Sequence, residues 1–445
     1  MQDTSISLKH INKLAIPALI SGIAEPVLSL TDAAIVGNIS INATASLAAV
    51  GIVTTFLSML IWVLGQTRSA ISSIVSQYVG ANKLESIKSL PAQAIFIITS
   101  LSVLIIIGTY PFARSIFKLY NASDLILDYC ISYYKIRVFG FPFTLFTMAI
   151  FGAFRGLQNT FYPMIIAITG AVLNIFLDIA FVYGINGVLP AMHIKGAAYA
   201  SIIAQIIMAI LSAYYLLKKT AIPLKPTFPF NKEINRFLLM IFNLFIRTIA
   251  LNATLYFASA FATSYGAKYI AAYTIAINLW FLGAFIIDGY ASAGNILSGK
   301  LYGGKNHNLL ILLSNKLIKY GVILGITTAV IGFIFYYPIG EIFTNDPAVL
   351  DTFYSVFYIV LLMQPLCALA FIFDGMFKGL GKMKYLRNVL LFSTFIIYIP
   401  ILFYLDYLNY KLHAIFIALT FWIIARGLPL IIKFRQLFLP QAQNN

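Results

Sequence analysis

Acidic side chains are scarce in the long apolar runs of this sequence, and those that occur there are the first candidates for chemistry. Glu25 and Asp32 lie seven residues apart in the first run, and Asn174 and Asp178 lie four apart in the fifth, so each pair shares one helix face. A charge inside a bilayer costs about 2.5–3.5 kcal/mol on insertion scales, so such residues usually face a cavity and have a function. The alternative is that these carboxyls accept hydrogen bonds from neighbouring helices and are permanently protonated.

The remaining polar candidates within apolar runs are one arginine and two further aspartates. Arg247 cannot lose its charge and needs an anion, and Asp288 in the next run is the nearest one, so a structural Arg247–Asp288 pair is predicted. Asp374 lies near the end of a run, where a helix-end role is as reasonable as a role in transport. The substrate or gating candidates are two acids, two prolines that can bend the first helix and four aromatic residues: Glu25, Asp288, Pro17, Pro26, Trp62, Tyr256, Tyr273 and Trp280.

The composition requires a membrane to position these residues. The 445-residue chain is 61% hydrophobic and 10% charged, with a mean hydropathy of +0.90, whereas a soluble protein carries about 25% charged residues. Twelve apolar runs are long enough to cross a bilayer as helices, because about 20 residues suffice. The sequence therefore predicts an all-α polytopic membrane protein with twelve transmembrane helices.

The charge of +16 reflects topology rather than binding of nucleic acid. With the N-terminus inside, about twenty Lys and Arg residues lie on the cytoplasmic side and five on the other. The positive-inside rule then predicts that both termini are cytoplasmic and that the protein is integral to the cytoplasmic membrane.

The two halves of the sequence match at one constant offset in residue number. Gly80 falls on Gly303, Pro142 falls on Pro365, and the segment 152–157 falls on 375–380. A duplication of six spans is therefore predicted, with an N-lobe at 1–217, a proline-rich cytoplasmic linker at 218–236 and a C-lobe at 237–445. Six is an even number, so the halves enter the membrane from the same side, as in carriers whose two bundles enclose a central path.

The sequence offers little for enzymatic chemistry. The four histidines lie in loops or at the edges of apolar runs, and they are His10, His193, His307 and His413. Neither these nor Cys130 and Cys367 form a metal-ligand or nucleophile motif. No catalytic residue, metal or organic cofactor is predicted, and a polytopic membrane enzyme remains a distant alternative.

Several longer strings resemble the multidrug and toxic compound extrusion (MATE) family, and within it the DinF-type branch. The first run reads Leu14-Ala-Ile-Pro17 and then Glu25-Pro-Val-Leu-Ser-Leu-Thr-Asp32-Ala-Ala-Ile-Val-Gly37, similar to the opening proline and Asp-x-x-x-x-Gly of the family. The other matching strings are Asn174-Ile-Phe-Leu-Asp178, Asp288-Gly-Tyr-Ala291, Ser298-Gly-Lys-Leu-Tyr-Gly303 and Asp374-Gly-Met-Phe-Lys-Gly379. The likeness covers nearly the whole chain.

This resemblance implies two six-helix, pseudo-symmetric bundles that export cationic, amphipathic compounds in exchange for H⁺ or Na⁺. Asp32, Asn174 and Asp178 resemble the family's N-lobe cation site, where Na⁺ is a possible ligand, and Pro17 resembles its helix bend. The implied partners are small organic cations and membrane lipids, and a monomer is expected. A lipid-linked or organic-acid exporter of the same superfamily is the alternative within transport.

Overall fold

Long apolar helices account for nearly all of the structure, as the hydropathy of the sequence predicts. The computed structural model describes residues 6–39, 42–185 and 188–443. Eleven helical segments in this described part are long and apolar enough to cross a membrane, and Leu8–Gly37, with 30 residues, is a twelfth long helix. The side chains of residues 24–27, 29 and 30, which include Glu25 and Pro26, and those of residues 441–443 lie outside the described part.

We number the twelve helical segments in chain order. They are α1 (Leu8–Gly37), α2 (Ala43–Gly80), α3 (Leu84–Thr109), α4 (Asp124–Gly156), α5 (Phe161–Tyr183), α6 (His193–Lys219), α7 (Ile234–Ser264), α8 (Ala267–Gly303), α9 (His307–Ile334), α10 (Pro347–Gly379), α11 (Met383–Tyr407) and α12 (Leu412–Pro440). The fold is the predicted all-α, twelve-helix membrane architecture.

The helix bounds repeat at the same offset in residue number that relates Gly80 to Gly303 in the sequence. Helix α4 shifted by this offset begins and ends where α10 does, the start of α3 falls on the start of α9, and the end of α2 falls on the end of α8. Short helices precede α4 and α10, and their first residues, Ala113 and Tyr336, are related by the same shift. Helix bounds do not depend on matching residue types, so their agreement with the offset supports the predicted duplication.

The chain divides into two compact units. One, which we call the N-terminal unit, comprises Ile20–Val75 and Lys83–Ile241, and the other, the C-terminal unit, comprises Met1–Leu19, Ser76–Asn82 and Phe242–Asn445. The first turns of α1 and the last turn of α2 are thus packed with the C-terminal helices. The predicted lobe boundaries at 217 and 237 fall close to the segment joining α6 and α7, and they stay a prediction.

Glycines allow the last turn of α2 to pack closely within its unit. A Cβ atom added at Gly80 would lie 1.8 Å from the Lys300 carbonyl oxygen, and one added at Gly303 would lie 1.8 Å from that of Gln77. The Gln77 side-chain amide also donates to the Gly379 carbonyl at 2.7 Å. Any side chain at these two positions would collide with backbone, which cannot move aside as a flexible side chain can.

Candidate functional site

Three helices of the N-terminal unit bring the predicted carboxylates together. Asp32 lies on α1, Asn174 and Asp178 lie on the buried face of α5, and Ser201 lies on α6; all four side chains are buried, with at most 6% of each exposed. The buried positions of α5 recur every three or four residues, as a helix with one buried face requires. The four-residue spacing of Asn174 and Asp178 therefore directs both side chains to the same interior.

The hydrogen bonds of this cluster leave acceptors in excess. The Ser201 hydroxyl donates to Asp32 Oδ2 at 3.2 Å, and Asn174 Nδ2 donates to the Ser201 oxygen at 3.5 Å. The carboxyls of Asp32 and Asp178 are close enough to interact directly. Apart from a proton shared between the two carboxyls, no described donor reaches Asp32 Oδ1, Asn174 Oδ1 or either oxygen of Asp178.

Four buried oxygens without donors indicate what this arrangement can bind. Two adjacent carboxylates repel each other strongly in a buried environment, and a proton shared between them or a cation beside them relieves that repulsion. Small hard cations are held by carboxylate and amide oxygens, which are the atoms in excess here. The cluster can thus take up a proton, or a partly dehydrated Na⁺, between Asp32, Asn174 and Asp178.

One cation beside the cluster was missed in the sequence, together with its supporting residues. Arg137 of α4 interacts electrostatically with both Asp32 and Asp178, and its Nη1 donates to Gln205 Oε1 of α6 at 3.0 Å. A Cβ atom at Gly140 would lie 1.9 Å from that same Gln205 oxygen, so the glycine leaves room for the amide. The sequence feature that could have identified Arg137 is the presence of an arginine within an apolar helix.

The C-terminal unit holds a second buried polar cluster, centred on Asp374 of α10. Arg247 Nη2 lies 2.5 Å from Asp374 Oδ1, Lys378 Nζ lies 3.0 Å from Oδ2, and Arg426 Nη2 lies 3.5 Å from Oδ1. Asp374, Arg247 and Arg426 are buried, and the Arg426 guanidinium also lies over the Phe371 and Trp422 rings. Three cations therefore share one carboxylate.

The predicted Arg247–Asp288 pair is wrong. Asp288 is exposed and makes no ion pair among the described residues, whereas Arg247 bonds to Asp374. Asp374 and Arg247 are both buried, whereas the Asp288 side chain is exposed and acts electrostatically on Lys378 without forming an ion pair. Asp374 accordingly has the structural role that the sequence assigned to Asp288.

The other sequence candidates are spread over the molecule. Pro17 lies within α1, which is helical from Leu8 to Gly37. Tyr273 and Trp280 are buried in the core of the C-terminal unit, whereas Trp62 and Tyr256 are exposed at 41% and 70%. Their roles in gating or in binding substrate stay predictions, as do those of Glu25, Pro26 and Asp288.

The two polar clusters occupy different positions of the repeat. The second-half equivalents of Asp32, Asn174 and Asp178 are Leu255, Ile397 and Ile401. Conversely, the positions equivalent to Arg247, Asp374 and Arg426 in the first half are Ala24, Phe151 and Ile203. The third cation, Lys378, falls on Arg155, so that position is basic in both halves. The first half thus has a pair of acids at positions that are apolar in the second, and the second half has an acid and two arginines at positions that are apolar in the first.

Comparison with known families gives two successive matches along the chain. The family model described as MatE matches residues 17–180 and again residues 243–404. Together these ranges cover most of the chain, and each contains one copy of the repeat.

Curated relatives come from plants and bacteria. DNA damage-inducible protein F of Escherichia coli is 25% identical over 427 residues, which cover 94% of this chain and 90% of that protein. Probable multidrug resistance protein NorM of Thermotoga maritima is 27% identical, with 84% and 80% covered. Protein DETOXIFICATION 43 of Arabidopsis thaliana is 28% identical over 66% of this chain, and the match spans only 52% of that longer protein.

A solved structure gives the same fold. The crystal structure of MATE in the bent conformation superposes with a TM-score of 0.90 at 21% identity, covering 98% of this chain and 96% of that one.

Proposed function

Because this chain belongs to the MATE family, whose members are membrane transporters and not enzymes, we propose that it is a secondary active antiporter. Its proposed substrates are cationic, amphipathic drugs or other toxic organic compounds, which it exports in exchange for H⁺ or Na⁺ by alternating access. A relative named as a multidrug resistance protein, covered over 80% of its length, supports this substrate class. The alternative is a lipid-linked or organic-acid exporter of the same superfamily.

The observation that carries the proposal is the group of four buried acceptor oxygens on Asp32, Asn174 and Asp178. A structural pair of acids would be expected to have donors for these oxygens, since buried polar atoms are normally hydrogen-bonded. A site that takes up and releases a cation must instead leave acceptors available. Ser201 and Arg137 then hold the carboxyls in place through the ion-free part of the cycle.

The coupling that we propose follows from charge. With an ion bound, the cluster is close to neutral and one arrangement of α1 is favoured; without it, the paired negative charge favours the arrangement that receives a cationic compound. A ligand shifts such an equilibrium only by its differential affinity for the two states. The ion and the drug therefore compete through the conformation that each one prefers.

The membrane setting of the proposal rests on the distribution of Lys and Arg. We propose the cytoplasmic membrane, with both termini on the cytoplasmic side, because about four-fifths of the loop and terminal cations fall on one side. A monomer is the proposed unit, since one chain contains both halves of the repeat.

Reconstitution into proteoliposomes with separately imposed proton and sodium gradients tests both the activity and the coupling ion. Asp32→Asn and Asp178→Asn keep the side-chain size but remove the charge, so each is expected to abolish gradient-driven export of a cationic dye while the protein remains folded in the membrane. Asp351→Asn, at an exposed position of α10, is the matched control and should export at the unmodified rate.

Export at the unmodified rate in both Asp32→Asn and Asp178→Asn would remove this cluster from the mechanism. Export of organic acids rather than cationic dyes, with the same dependence on Asp32, would retain the coupling site and replace the substrate class by the alternative.

A further inference from the structure

A basic cavity lies in the C-terminal unit, and none of its lining residues belongs to either buried cluster. Its volume is about 460 Å³, and it is formed by the turn between α8 and α9, the turn between α10 and α11, and the last turns of α12. The lining residues are Tyr302, Gly303, Lys305, His307, Lys382, Leu437 and Phe438. Because three helices end and two begin around it, the cavity lies where the spans meet the membrane surface.

The cavity combines positive charge with an apolar wall. Lys305 is exposed and Lys382 is half-buried, and no described carboxylate pairs with either lysine. The His307 ring stacks on Phe438 with ring centroids 5.6 Å apart, and its Nδ1 is buried with no hydrogen-bond partner among the described residues. Leu437 and the buried Phe438 provide the apolar side.

Comparison with the other half of the repeat shows that these charges are not inherent in the fold. The first-half equivalents of Lys305, His307 and Lys382 are Asn82, Leu84 and Asn159, which are all uncharged. The backbone at the first of these turns is nonetheless the same, with φ of 54° at Asn82 and 55° at Lys305. The cation of the first-half turn is Lys83, which is equivalent to Asn306, so the three positions that line the cavity carry basic side chains only in the second half.

We propose that this cavity binds the phosphate-containing headgroup of an anionic phospholipid. Lys305 and Lys382 would contact the phosphate oxygens, and the buried His307 nitrogen would donate or accept a hydrogen bond with the headgroup. Basic recesses at the ends of transmembrane helices bind anionic headgroups in this way. Leu437 and Phe438 favour a lipid over a free phosphate ion, because an apolar wall beside the cations suits an amphiphile. In the orientation proposed above, the lipid belongs to the cytoplasmic leaflet.

The repeat itself supplies the variants for a test. Lys305→Asn, His307→Leu and Lys382→Asn each introduce the residue that the first half already carries at the equivalent position. Lys384→Asn is the matched control, since Lys384 is exposed two residues from Lys382 but does not line the cavity.

Binding is measured on the purified full chain by native mass spectrometry and by thermal shift with added phosphatidylglycerol, phosphatidylcholine or inorganic phosphate. Phosphatidylglycerol is expected to bind and stabilise the unmodified protein and the Lys384→Asn control. The triple variant should bind it about tenfold more weakly, because the electrostatic attraction of the two lysines is lost. Phosphatidylcholine and inorganic phosphate should have little effect on any of them.

Equal affinity of the triple variant and the control for phosphatidylglycerol would overturn the proposal. Stabilisation by inorganic phosphate as strong as that by phosphatidylglycerol, and lost in the triple variant, would replace the lipid by a soluble phosphate compound. If the triple variant does not fold, Lys305→Asn and Lys382→Asn are measured singly, and each must weaken binding for the proposal to stand. None of these measurements depends on transport, so they stand apart from the test of the antiporter.

Discussion

Neutralising Asp374 tests whether this single carboxylate balances the three cations that surround it. In Asp374→Asn the side chain keeps its size, but Arg247, Lys378 and Arg426 lose the charge that lies 2.5, 3.0 and 3.5 Å away. Removing one partner of a buried ion pair typically costs about 3–5 kcal/mol, because an uncompensated charge remains buried. We expect a loss of about that size in the free energy of unfolding, since guanidinium groups cannot shed their charge.

The assay is reversible unfolding of the purified protein in mixed micelles, followed by helical circular dichroism as the denaturing detergent is increased. Asp288→Asn is the comparison variant because Asp288 is exposed and acts on Lys378 without forming an ion pair, and it should change the unfolding free energy by less than about 0.5 kcal/mol. Adding Arg247→Met to Asp374→Asn removes one of the three cations left without a carboxylate, and it should restore part of the lost free energy of unfolding.

Two results would refute this reasoning. The first is an Asp374→Asn protein as stable as the unmodified one, which would mean that the cations are solvated or paired in another way. The second is an equal loss in Asp288→Asn, which would restore the pairing that the sequence suggested.

Three further substitutions have expected outcomes that follow from single contacts. Ser201→Ala removes the hydroxyl that donates to Asp32 and should slow gradient-driven export about tenfold, on the order of 1.4 kcal/mol for a hydrogen bond to a charged group, whereas Ser201→Thr should retain the rate. Gly140→Ala places a methyl group against the Gln205 amide. Displacing the amide should cost about 1–3 kcal/mol of stability. An unchanged unfolding curve would show that the Gln205 side chain can adopt another conformation without loss. Gly303→Val meets the Gln77 backbone and should reduce the yield of folded protein sharply, while Gly108→Ala, with open space around it, should not.

The overall frame was predictable because few local rules determine it. A bilayer requires helices of about twenty apolar residues, and a duplicated sequence repeats its turns. The constant offset found from scattered matches such as Gly80 and Gly303 therefore recurs in the helix bounds. The carboxylates of α1 and α5 were also identifiable, because a charge within an apolar run seldom lacks a function.

The partners of the charged residues were not predictable from spacing. Arg247 bonds to a residue 127 positions away, and choosing the nearest acid in the next helix gave Asp288 instead. Which helices pack together, and which face each one presents, depends on tertiary packing that a single sequence does not encode in its local pattern. Neutral groups such as Ser201, Gln205 and Gly140 carry no distinctive signal in an apolar helix, and they became visible only through their contacts.

The close packing of the last turn of α2 bears on the origin of the two-half chain. Gly80 meets the Lys300 carbonyl and Gly303 meets the Gln77 carbonyl, and Gln77 and Lys300 are themselves equivalent positions of the repeat. Exchanging the two halves therefore converts each contact into the other, which is the pattern of a twofold subunit interface. A single-copy ancestor would have formed a homodimer through this same pair of turns. Fusion of two copies of its gene would then have turned a contact between subunits into a contact within one chain. Separate expression of residues 1–224 and 225–445 should then allow the two pieces to assemble in the membrane, and Gly303→Val should prevent that assembly.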